Sequence, residues 1–165
     1  MELSVINPSL VLGPVLETDP GTSVEVVKRF LDGGFPLAPN ISFGIVDVRD
    51  VAELHLLALE SSQASGNRFI ASSETMAIPY ISKTLREKIP EYEKRFPKRT
   101  APDFLIKLIG LFSPLMKTVA NQLGKTKELD NSKAKNILGW QPRSGEESVI
   151  ASAESLIEFD LVKPL

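Results

Sequence analysis

The chain reads as short apolar runs alternating with segments of helical period. Leu3-Ser4-Val5-Ile6 is an apolar run stopped by Asn7-Pro8, which suits a strand buried on both faces of a parallel sheet. Ser9-Leu10-Val11-Leu12-Gly13-Pro14 then leads into a turn-rich connection, and Asp19-Pro20-Gly21 is turn chemistry. Thr22 or Ser23 is placed to cap a helix. Its Val24, Val27, Lys28 and Leu31 share one face, and Gly33-Gly34 ends it. Phe35 to Asn40, with Pro36 and Pro39, is loop.

A second strand is expected at Phe43-Gly44-Ile45-Val46. Asp47 or Asp50 then starts a helix with Val48, Val51, Ala52, His55 and Leu59 on one face. A carboxylate there meets unpaired N–H groups at the positive end of the helix dipole. Asn67 to Ala71 is a third strand. From Thr75 onward the pattern is helical, with Pro79 in the first turn and Ile78, Ile81, Leu85 and Ile89 inward. Lys94 to Thr100 is expected as an extended basic edge segment ending at Pro102. Phe104 to Leu123 reads as one or two buried helices broken near Ser113-Pro114. Asp130 to Leu138 makes a short capped helix closed by Gly139. Ser144-Gly145-Glu146-Glu147 is a capping box ahead of Val149, Ile150, Ala153, Leu156 and Ile157. Strands alternating with helices predict an α/β fold.

Composition narrows the functional classes. The 165 residues suit a single unit, and 42% hydrophobic content with 10 Gly excludes a disordered or collagen-like chain. With no Cys and one His, disulfide scaffolds, thiol nucleophiles and zinc–thiolate sites drop out. A net charge of −2 does not suggest a nucleic-acid binder, whose affinity rests on many phosphate contacts. The charge is uneven: residues 1–66 carry three basic and nine acidic side chains, so the later part is basic. The most apolar stretch, Phe104 to Met116, contains Lys107, Gly110 and Pro114 and falls short of the ~20 residues a bilayer requires. The opening residues lack a signal peptide's basic flank. A soluble cytoplasmic protein, without membrane or nucleic-acid partners, is the expectation.

Three stretches together resemble the C-terminal half of an extended short-chain dehydrogenase/reductase, in the epimerase/dehydratase superfamily. They are Val5-Ile6-Asn7-Pro8-Ser9-Leu10-Val11-Leu12-Gly13-Pro14, Val46-Asp47-Val48-Arg49-Asp50-Val51-Ala52-Glu53-Leu54-His55, and Ser132 to Pro142 with its Leu138-Gly139-Trp140-Gln141-Pro142 turn. The apolar Phe104–Val119 segment and the Gly33–Asn40 loop are most similar to the dihydroflavonol-reductase-like branch. The resemblance implies the C-terminal part of a Rossmann-like parallel sheet plus a mostly helical substrate-binding lobe, with the N-terminal dinucleotide-binding half missing. Residues 1–14 and 67–90 would supply Rossmann strands, and 15–66 and 91–165 the substrate lobe.

The same resemblance implies an oxidoreductase with an NADP or NAD cofactor in the intact enzyme, reducing a small-molecule carbonyl substrate, a small or aromatic aldehyde or ketone. Pro8, Leu10 and Val11 would border the nicotinamide, Ser23 would meet the pyrophosphate at a helix N-terminus, and Phe43 would help wall the substrate site. The family's Gly-rich turn is absent, and so is its catalytic Tyr-x-x-x-Lys pair. Tyr80 and Lys83 are three apart, not four, and Phe96 stands four beyond Tyr92. No catalytic residue is therefore assigned, and the chain alone is expected to be inactive. His55 reads as a core histidine bonded to backbone, and Trp140 as a packing plug. Asp47, Arg49 and Asp50 read as a helix cap with an ion pair tying two lobes. Three alternatives stay open: a non-catalytic domain that self-associates or binds its missing half, a split-gene fragment, and epimerase or dehydratase chemistry on the same scaffold.

Overall fold

The computed structural model describes residues 3–111 and 114–165. The fold is α/β, with five strands in two small sheets among the described residues. β1 (Val5–Pro8) pairs in parallel with β4 (Arg68–Ala71), Val5 opposite Arg68 and Pro8 opposite Ala71. β2 (Leu10–Leu12) lies parallel to β3 (Ser42–Asp47), whose other edge pairs antiparallel with β5 (Glu74–Ala77). One residue, Ser9, separates β1 from β2, and two, Ser72 and Ser73, separate β4 from β5. The chain therefore crosses from the first sheet to the second at two neighbouring points, joined where the Ser9 N–H donates to the Ala71 carbonyl at 2.9 Å.

Each sheet has its own apolar core. Against the first pack α2 (Val48–Glu60), α6 (Ser132–Leu138) and the fully buried Trp140, which enclose Phe69, Ala71, Leu54, Ala58 and Val46. Against the second pack α1 (Gly21–Leu31), α3 (Ile78–Lys88) and α7 (Gly145–Glu158), around Phe30, Leu31, Ile45, Ile81, Leu85 and Leu156. α4 (Asp103–Gly110) and α5 (Pro114–Gln122) pair with each other. No described helix is long and apolar enough to cross a membrane.

Several expectations need correction. The first strand is not buried on both faces. It has one neighbour among the described residues, and Val5, Asn7 and Pro8 are exposed. Leu10–Leu12 is a separate short strand ahead of the turn-rich connection. Residues 75–77 form β5, because their backbone groups pair with β3, and the helix begins only at Ile78. Lys94 and Arg95 belong to a 3-10 turn, Pro90–Arg95, not to an extended edge. α4 is not a buried helix: Phe104, Leu108 and Leu111 are exposed, and the break expected at Ser113 lies outside the described residues.

α2 is rotated from the expected face. Asp50, Leu54 and Ala58 point inward, whereas His55 and Leu59 are exposed. His55 is thus not a core residue, although its Nδ1 lies 2.7 Å from the Val51 carbonyl. The cause is a long-range pairing. Asp50 is buried because Arg143, in the loop before α7, meets it with both its guanidinium and its backbone N–H, the latter at 2.7 Å. Trp140 Nε1 donates to the Asp50 carbonyl at 2.9 Å. The tie between segments runs through Arg143, while Arg49 pairs with Asp47 on its own helix.

Candidate functional site

Ligands of open α/β sheets bind at the carboxyl ends of parallel strands. Here the ends of β2 and β3 carry the Gly13-Pro14 turn and Asp47, and they open onto a cleft of about 270 Å³. The cleft runs from Val11 through Gly13 and Pro14 to the first turn of α1, where Gly21, Thr22 and Ser23 line it.

Gly13 is fixed by close approach. Its φ is +110°, and a Cβ there would sit 2.8 Å from Asp47 Oδ1. Any side chain would be strained by the backbone and would also strike the carboxylate. The turn is held from below by α7. Gly13 N–H donates to Ser152 Oγ at 2.8 Å, and Val15 N–H donates to Ser155 Oγ at 2.8 Å. Both serines are buried. A helix face thus satisfies backbone groups that leave the sheet with no strand partner. Sequence reading missed these two serines; the spacing Ser148, Ser152, Ser155 on a core-facing helix was the available signal.

The N-terminus of α1 is open chemically. Pro20 occupies the cap position, where no side-chain hydrogen bond forms, so neither Thr22 nor Ser23 is the cap. The first N–H groups of this 11-residue helix therefore lack intrahelical partners in the segment that lines the cleft. That suits an anion. The rim carries Glu17 and Asp19, and no Lys, Arg or His lines the cleft.

Asp47 stands behind the Gly13 turn. Its carboxylate accepts from Arg49 N at 2.9 Å, Nε at 2.8 Å and Nη2 at 2.7 Å, capping α2 while forming a two-pronged ion pair. Burial pushes its pKa up, but the Arg49 hydrogen bonds and charge outweigh that and hold it below the usual carboxylate value. The lowered value means that Asp47 stabilises the fold above the unfolded pKa, near 4. That contribution is lost as pH falls through the lower folded value. In denaturant titrations from pH 6 to pH 2, the Asp47→Asn variant is expected to start about 1 kcal/mol less stable and to converge on the parent in acid. Parallel pH profiles would refute this.

The sequence-derived site residues fall in different places. Val11 and Ser23 line one cleft. Pro8 ends β1 and is exposed, Leu10 lies in β2 opposite Ile45, and Phe43 lies in β3 opposite Met76. Leu10 and Phe43 pack partly buried against the second core. Tyr80 is 48% exposed and Tyr92 is buried under Arg95, and neither reaches the cleft.

No protein-family model matches the chain. It is 28% identical to the NADPH-dependent methylglyoxal reductase of Saccharomyces cerevisiae over 165 residues, 96% of this chain and 44% of that protein. It is 32% identical to the ketoreductase azaE of Aspergillus niger over 167 residues, 95% of this chain and 44% of that one. The crystal structure of the yeast methylglyoxal/isovaleraldehyde reductase in complex with NADPH superimposes with a TM-score of 0.71 at 26% identity, over 96% of this chain and 44% of that chain. The chain thus spans about half the length of the curated relatives it matches.

Proposed function

We propose that this chain, related to the reductases of the extended short-chain dehydrogenase/reductase family, forms the C-terminal portion of an NADP-dependent oxidoreductase. The whole enzyme reduces a small or aromatic aldehyde or ketone. The observation that carries this reading is the state of β1. Val5 and Ser9 direct their N–H groups toward β4, to the Asn67 and Ala71 carbonyls. By strand alternation Ile6 directs its N–H to the opposite edge, where no described strand pairs with it. A strand with one edge and one face uncovered is suited to the interior of a larger parallel sheet. On this reading residues 1–14 and 67–90 complete that sheet, and 15–66 and 91–165 form the substrate lobe.

The residues present fit one end of a dinucleotide. The free N–H groups of α1 and the Ser23 hydroxyl would hold pyrophosphate oxygens, and the side-chain-free Gly13 lets backbone approach closely. Pro8, Leu10 and Val11 would floor the nicotinamide. Bound there, the cofactor supplies hydride to a carbonyl carbon. Val11 and its apolar neighbours exclude water from that face, while Phe43 would border the substrate. The proton for the nascent alkoxide would come from a group outside this chain: among the described residues, the acids that line the cleft are the rim carboxylates Glu17 and Asp19 alone.

A titration of the isotope-labelled chain with NADPH tests the site without needing turnover. With most of the phosphate grip elsewhere, the dissociation constant is expected on the order of 1 mM. Amide shifts should concentrate at Val11, Gly13, Thr22 and Ser23. A Ser23→Asp variant, which sets a negative charge at the helix N-terminus, should weaken binding about tenfold. Shifts confined to other surfaces, or no effect of Ser23→Asp, would count against the assignment.

A further inference from the structure

The two sheets part at a fork. Ser9 and Ser72 stand beside each other where β1 and β4 end, and Gly44 of β3 faces into the gap. A Cβ on Gly44 would lie 2.5 Å from Leu129 Cδ1, 2.9 Å from Ser72 Oγ and 3.1 Å from Ser9 Cβ. Three side chains from distant parts of the chain therefore converge on one glycine. The Ser72 hydroxyl is buried and has no hydrogen-bond partner among the described residues. Its neighbours are otherwise well satisfied. Ser9 Oγ donates to the Ala71 carbonyl at 3.3 Å, Ser73 Oγ donates to the Ile45 carbonyl at 2.9 Å, and Asn131 Nδ2 donates to the Ser72 carbonyl at 2.6 Å. An orphaned hydroxyl in such surroundings costs stability and calls for a reason.

Leu129 supplies one. It belongs to a segment without regular structure, residues 125–131, pinned at its ends by Gly124 N–H donating to the Asn40 carbonyl and by Asn131, with Thr75 Oγ1 donating to the Lys127 carbonyl between them. Lys125, Lys127, Glu128 and Asp130 are solvated, and Leu129 is 37% exposed while its tip reaches Gly44. Leu129 is the one apolar side chain of this hydrogen-bonded strap.

We infer that Leu129 is a removable plug over a small polar subsite, and that the Ser72 hydroxyl there hydrogen-bonds the oxygen of a small carbonyl or alcohol. Swinging Leu129 away opens a space about its own size, with Gly44 as the floor, the Ser9 side chain as a wall and Ser72 Oγ as the polar contact. The subsite adjoins Pro8, so it deepens the carbonyl-reductase reading, on which the identity of the ligand rests. Ser72 then helps decide which substrates fit.

The test uses the labelled chain and 2-butanone as probe. Saturable amide shifts are expected at Gly44, Ser72 and Ser73. Leu129→Ala should tighten binding about tenfold by removing the plug, and adding Ser72→Ala should weaken it about tenfold by removing one hydrogen bond. Because Ser72 Oγ has no partner, Ser72→Ala alone should leave the melting temperature unchanged or raise it by about 3 °C. Absence of saturable shifts in all variants would overturn the inference. So would an affinity indifferent to either substitution, or a melting temperature lowered by Ser72→Ala. The probe requires neither nucleotide nor turnover, so failure here leaves the reductase reading standing, and an inactive enzyme leaves the subsite standing.

Discussion

Trp140→Ala is expected to remove about 3–5 kcal/mol of folding stability, a large share of the ~5–15 kcal/mol typical of such chains. Trp140 is the largest fully buried side chain, and it sits where α2, α6 and the β1–β4 sheet meet, against Leu54, Phe69 and Ala134. Its removal leaves a cavity that no neighbouring side chain can fill without breaking those contacts, and withdraws the Nε1 donor from the Asp50 carbonyl. The same carbonyl lies at the start of α2, beside the pair of buried Asp50 with Arg143, so the loss also loosens the joint between α2 and the loop before α7. Trp140→Phe keeps most of the packing and sacrifices only the hydrogen bond, at a cost of about 1–2 kcal/mol. Denaturant unfolding followed by circular dichroism measures both, since Trp140 is the chain's single tryptophan and its fluorescence disappears with the substitution. An alanine variant within 1 kcal/mol of the parent would show that the side chain is not a structural plug.

Local chemistry was readable where it closes within a few residues. The Ser144–Glu147 capping box forms as the sequence implies, and the inward face of α3, Ile78, Ile81, Leu85 and Ile89, follows its helical period. Asp47 caps α2 by accepting from Arg49 N. Features set by distant partners were not legible. The face of α2 was misread because its apolar residues outnumber Asp50, yet Asp50 turns inward to meet Arg143, 93 residues away. β5 reads in the sequence as the start of a helix because four residues, Glu74–Ala77, are too few for an alternation to compete with the helical pattern that follows. The two-sided burial that the apolar run suits is not met within this chain, where Val5 is exposed, because burial depends on neighbours that the run itself does not encode.

The candidate site divides the same way. Val11 and Ser23 were named from a resemblance, and the fold sets both on one cleft. Gly13 could be flagged only by its place before Pro14. Its reason, the Asp47 carboxylate 2.8 Å from where a Cβ would stand, requires three dimensions. Ser152 and Ser155 reach the cleft only through its backbone, a role that residue type alone does not announce.

A reductase needs a held cofactor and an acid beside the carbonyl; on the proposed reading the cleft supplies part of the first, and among the described residues no tyrosine lines it for the second. Tyr80 lies on α3, and Lys83 on the same helix stands 3.9 Å from Glu87. Neither tyrosine lines the cleft. Loss of a positioned acid alone costs about 10²–10⁴ in rate, and incomplete orientation of the cofactor costs more. The decisive measurement is NADPH consumption by the purified 165-residue chain against a panel of small and aromatic aldehydes and ketones. The expected result is no turnover above the protein-free blank with any of them. Turnover near the ~10 s⁻¹ typical of intact enzymes would contradict the placement of the proton donor and the phosphate grip outside this chain.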